Sequence, residues 1–118
     1  MEIFKSISEL LSKIDSIFEN DWIFTNLEKW KTTPLECPLY LVRDEDVDNA
    51  SEDETFVNPG GIELPIALEH ENVTSWMLIE ILHGVLLNLR KSKPNISVND
   101  FVYAINYYRE YDDFYDPA

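Results

Sequence analysis

With 118 residues, the chain is long enough for one ordinary domain and too short for two. Its 45% hydrophobic and 13% aromatic residues are a folding composition, and 23 Asp and Glu against 9 Lys and Arg leave a formal net charge of -14. That charge excludes duplex DNA and anionic membranes as favourable partners and suits a basic protein surface, towards which the chain would be steered at low salt.

The single cysteine, Cys37, rules out an internal disulfide, a Cys-based zinc site and a CxxC redox motif, and fits a reducing, cytoplasmic compartment. Glu2 precedes a short amphipathic pattern, not a basic region followed by a continuous apolar one, so no secretory leader is expected. No apolar run approaches the length of a membrane span.

In chain order, residues 1–5 predict a short edge strand, and Ser6 with Glu9 three residues on reads as a capping box. Ile7, Leu10, Leu11, Ile14, Ile17 and Phe18 recur at helical spacing, which predicts a helix that buries all six and ends at Asn20 and Asp21. Residues 22–25 and 39–42 are β-branched and aromatic runs that predict two strands. Residues 29–34 between them read as a connecting loop, its Trp30 packed over the sheet.

From Asp44 to Glu54 the chain is almost wholly acidic, which predicts a mobile surface loop, and residues 56–61 return it through an Asn-Pro-Gly-Gly turn. Ile62, Leu64, Ile66 and Leu68 alternate with polar or small residues, as in a strand, but Pro65 confines that strand to an edge and leaves a short helical turn open. Thr74 reads as an N-cap, with Val73 stapled to Leu78, for a central helix from about Ser75 to Lys91. A narrow polar stripe through Glu80, Gly84, Asn88 and Lys91 would mark its outer edge. Arg90, Lys91 and Lys93 suit the negative end of its dipole. A last helix starts after Ser97, with Asp100 in the capping-box position, and buries Phe101, Val102, Ile105 and Tyr107 or Tyr108. The whole, residues 1–118, is one α+β domain: a small, mainly antiparallel sheet packed by three main helices.

Residues able to carry chemistry are few. Asp44, Asp46 and Asp48 alternate as in a calcium loop, but Asn49 stands where that loop needs glycine and Thr55 where it needs the bidentate glutamate, so no metal site is expected. Cys37 reads as a small buried residue, His70 as a surface histidine and His83 as a satisfied core or boundary one. No nucleophile elbow, phosphate-binding loop, dinucleotide fingerprint or zinc motif occurs; neither an enzyme nor a cofactor is expected. Two regions remain as candidate partner-binding surfaces. One is the acidic stretch with Asp44, Glu45, Asp46, Asp48, Glu52, Asp53 and Glu54; the other is the tail with Tyr111, Asp112, Asp113 and Asp116, where rings and acids mix as in a protein hot spot.

The capped first helix, Asp21-Trp22-Ile23-Phe24, Pro38-Leu39-Tyr40-Leu41-Val42 followed by acids, and the segment from Lys93-Pro94-Asn95 to Asn106-Tyr107-Tyr108 resemble a small acidic bacterial family. That family occurs among immunity proteins of contact-dependent growth inhibition and related polymorphic toxin systems. The resemblance implies a cytoplasmic protein that binds and neutralises a cognate basic toxin domain, often a nuclease, and it assigns no residue by motif. The alternative is a nucleic-acid mimic or regulatory adaptor that binds another basic protein.

Overall fold

A computed structural model of the chain describes residues 1–116, and its architecture is a mixed α+β domain built on a four-stranded antiparallel sheet. The strands are β1 (Glu2–Phe4), β2 (Trp22–Thr25), β3 (Leu39–Leu41) and β6 (Thr74–Leu78), in the spatial order β1-β3-β2-β6. Three main helices pack it: α1 (Ile7–Lys13), α4 (Ile79–Arg90) and α5 (Val98–Tyr111). The predicted fold class is therefore the observed one.

Side-chain alternation along the strands creates two cores. Phe4, Ile23, Leu39 and Leu41 point to the helical face and join Ile7, Leu10, Leu82, Leu86, Phe101 and Ile105. Phe24, Tyr40 and Val42 point to the opposite face, where they meet Leu64, Leu68 and Val73. The second face is roofed by a two-stranded antiparallel ribbon, β4 (Thr55–Val57) with β5 (Glu63–Pro65), and by a one-turn helix, α3 (Glu45–Asp48).

The acidic stretch is thus an ordered cover, and the expectation of a mobile loop is corrected. Two anchors order it. Val47 and Phe56 pack against the second core, and Asp46 accepts hydrogen bonds from the Met1 ammonium at 2.6 Å and the Arg43 backbone N–H at 2.8 Å. A further turn, Glu52–Glu54, is held by Ser51 in a reciprocal capping box.

The largest departure from the sequence reading is at residues 74–78, which form strand β6 and not the first turn of the central helix. β6 pairs with β2, and an irregularity between Ile23 and Phe24 leaves Trp76 without an opposite number. Trp76 and Met77 consequently both face the helical core although adjacent in sequence. The helix begins only at Ile79, because its cap comes from a distant segment: Ile79 N–H donates to the Asp21 carbonyl and Glu80 N–H to Asn20 Oδ1.

Two smaller corrections follow, and one open reading resolves. α1 ends at Lys13 and gives way to a 3₁₀ turn, Ile14–Ser16, so Phe18 lies beyond it and is 81% exposed. Residues 27–32 are a helix, α2 (Leu27–Thr32), capped by Asn26, and not a loop. Its Trp30 is buried as expected, packs edge-on against Trp76 and donates its indole N–H to Asn106. Residues 63–68 divide into β5 and a 3₁₀ turn, Ile66–Leu68, with Leu64 and Leu68 inward and Ile62 and Ile66 outward.

Candidate functional site

Cys37 is fully buried, and its environment suits packing better than reactivity. The Thr25 hydroxyl lies 2.8 Å from the Pro38 carbonyl and 3.0 Å from Cys37 Sγ, a contact in which either atom can donate. Burial raises the thiol pKa above its ordinary value, against the hydrogen bond with Thr25. His83 touches the Ile17 carbonyl through Nε2 at 2.6 Å, which fixes that nitrogen as the proton donor, and His70 lies at the surface beside Glu69. Among the described residues no three His, Cys, Asp or Glu side chains gather in a way that holds a metal ion.

The polar stripe of α4 is also occupied from within. Glu80 accepts from the Asn20 side chain, Asn88 donates to the Tyr115 carbonyl, and the Phe114 ring lies against Gly84. A Cβ at position 84 would come within 2.6 Å of that ring, so glycine is what admits the tail to the helix. After α5 the chain reverses at Asp112, whose left-handed backbone (φ 54°) caps the helix by donating its N–H to the Tyr108 carbonyl. Tyr115 then packs edge-on against Tyr103 and at a tilt against Tyr107, while Tyr111 packs at a tilt against Tyr107 and stays largely exposed. Asp113 and Asp116 are exposed along this returning segment.

Two sets of acidic residues bear on the site. Asp15 makes a two-pronged bond to Arg90 at 2.9 and 3.0 Å, Asp100 meets Lys93 at 2.9 Å, and Glu19 and Glu2 both hold Arg43, at 2.6 and 3.1 Å. The Lys93 ammonium, with the Ser97 N–H and hydroxyl environment, pulls the Asp100 carboxyl down to about 2. Asp46 belongs to this first set: partial burial opposes its ionisation, but the Met1 ammonium and the Arg43 N–H outweigh it and lower its pKa.

Asp21, Asp44, Asp48 and Glu63 are the second set. They line a groove of about 220 Å³ between the main sheet and its roof, whose apolar part is Trp22, Phe24, Val42, Val47, Ile62 and Leu64. Among the described residues none of the four carboxylates accepts a hydrogen bond or forms an ion pair. Asp44 is informative here. It occupies the N-cap position of α3 yet makes no side-chain cap, the service it would normally perform. Arg43, the one cation in the groove wall, is already shared by Glu2 and Glu19. Desolvation first, then repulsion from Asp44 and Glu19, raises the Asp21 pKa despite the nearby Arg43.

Trp22 is the hinge of this surface. It is 43% exposed, whereas Trp30 and Trp76 are 3% exposed, and it lines both the acidic groove and a second depression. That depression includes Tyr108, Arg109 and Asp112. Of the sequence-predicted binding residues, the structure thus brings Asp44, Asp48 and Asp112 around one exposed tryptophan. Asp46 is turned inward to Met1, and Glu45, Glu52, Asp53 and Glu54 are exposed on the roof. Sequence reasoning missed Trp22, Asp21 and Glu63 as site residues. Trp22 reads as an ordinary strand residue until its neighbours on the roof are known.

Residues 4–116 match a family described as a domain of unknown function (DUF7716), and the chain belongs to that family. No curated protein and no solved structure matches the chain. No described helix is long and apolar enough to cross a membrane.

Proposed function

We propose that this protein is a cytoplasmic immunity protein, which binds a cognate basic toxin domain, a nuclease, and neutralises it by occluding its active site or substrate surface. The observation that carries the reading is the groove beside Trp22: four carboxylates without internal partners surround exposed apolar surface, on a chain with a net charge of -14. One of the four, Asp21, has its pKa raised by desolvation and by Asp44, and a cation bound beside it relieves that perturbation. A nuclease site is built from Lys and Arg that hold phosphates, and a carboxylate-rich surface takes the same side chains in the phosphates' stead.

The groove also favours a protein partner over a metabolite. Its volume falls below the roughly 300–1,000 Å³ of small-molecule sites. The resemblance to immunity proteins supplies the identity of the partner, and the charge supplies its sign.

The test is co-expression with the toxin domain encoded beside its gene, followed by purification and a nuclease assay. A one-to-one complex in which cleavage is suppressed is expected. A toxin that stays fully active at saturating protein would refute the reading, and capture of a different basic, non-toxic protein would favour the adaptor alternative.

A further inference from the structure

Resting on that reading, we infer that the groove is an arginine receptor: one arginine side chain of the partner lies against Trp22, its guanidinium shared by Asp44 and Asp48. Two features of the groove select this occupant. Trp22 is 43% exposed and lines the groove, and indole is the best cation-π platform among side chains. Asp44 and Asp48 lie one turn apart at the two ends of α3, and both carboxylates are unpartnered. A planar guanidinium both stacks on an indole and donates to two carboxylates at once, whereas an ammonium is a compact, strongly hydrated point charge that does neither as well.

The groove is primed for the cation. Asp21 sits at its wall with a pKa raised by desolvation and by Asp44, so an incoming positive charge relieves repulsion already present. The protein's own Arg43 does not fill this role, because Glu2 and Glu19 hold its guanidinium. Other exposed apolar groups, such as Phe18 and Leu87, lack any adjoining arrangement that names an occupant.

The experiment needs no toxin. A short capped peptide carrying two arginines between glycines is titrated into ¹⁵N-labelled protein at about 150 mM salt, where diffuse attraction is screened. The Trp22 indole signal is the readout; Trp30 and Trp76 are buried and serve as internal controls. Saturable movement of the Trp22 signal is expected, with roughly tenfold weaker binding in the Asp44→Asn/Asp48→Asn variant. The lysine counterpart should bind about threefold or more weakly than the arginine peptide. Glu52→Gln/Asp53→Asn should bind like the unaltered protein. The inference is overturned if Trp22 does not respond, if both peptides bind alike, or if the two double variants lose affinity equally. If the peptide misses the groove while the toxin is still inhibited, the arginine receptor fails alone; if the peptide binds and the toxin is ignored, the immunity reading fails alone.

Discussion

The two ends of α4 use the same chemistry for opposite purposes. At the C-terminal end, Arg90 and Lys93 each meet a carboxylate, Asp15 and Asp100, and the returning tail closes over the helix through Phe114 and Tyr115. Beyond its N-terminal end lies the Trp22 groove, lined by four carboxylates with no cation to spare. A carboxylate's meaning is therefore set by its partner and not by its place in an acidic run. The first region is built for the fold, and the second carries charge that the fold does not need.

The strongest way to break this contrast is at Gly84. Gly84→Leu is expected to drive the Phe114 ring off α4, and the lost packing, about 1–3 kcal/mol, outweighs the gain of roughly 1 kcal/mol in helix propensity in urea unfolding. An unchanged or raised midpoint would show that the tail is not part of the packed structure. Next in size is Asp46→Asn. Although it lies in the same acidic run as Asp44 and Asp48, it is expected to cost about 1 kcal/mol by weakening bonds from the Met1 ammonium and the Arg43 N–H. Asp44→Asn and Asp48→Asn should leave the midpoint unchanged or raise it.

Two smaller effects differ in sign with pH. The Asp100 carboxyl is lowered from 3.8 to about 2 in the folded protein, so its contribution is complete above the unfolded value and disappears as pH falls through about 2. Asp100→Asn should therefore destabilise the protein at neutral pH, with the difference closing on acidification. Asp21 is shifted the other way, upward, and its ionisation works against folding once the pH exceeds that raised value. Asp21→Asn should accordingly be stabilising at neutral pH and neutral in strong acid. Thermal melts of both variants from neutral pH into acid would separate the two behaviours; parallel curves would erase the distinction between fold and groove carboxylates.

Much of the scaffold was legible because its signals are local. Ser97 and Asp100 spell a capping box that the structure reproduces on both sides, and the alternation at Leu39, Tyr40 and Leu41 already divides the two faces of β3. Trp30, Cys37 and His83 behave as their apolar surroundings suggest. The misses share one cause, which is a long-range partner overriding a local pattern. Thr74–Leu78 looks helical until β2 is beside it, and α4 takes its cap from Asn20, about half the chain away. The acidic stretch looks disordered until Val47 finds the second core. The candidate site was half visible: Asp44, Asp48 and Asp112 stand out as acids, but only the folded sheet places Trp22 between them.

The central claim, that function resides in the unpartnered carboxylates of the groove, is tested most directly by binding kinetics with the proposed partner, a purified basic toxin domain. Two folded variants with equal charge change are compared, Asp44→Asn/Asp48→Asn and Glu52→Gln/Asp53→Asn. The groove variant is expected to dissociate roughly tenfold or more faster, while the roof variant slows association modestly and leaves dissociation unchanged. Equal effects on both variants, or a groove variant that dissociates as slowly as the unaltered protein, would contradict the claim.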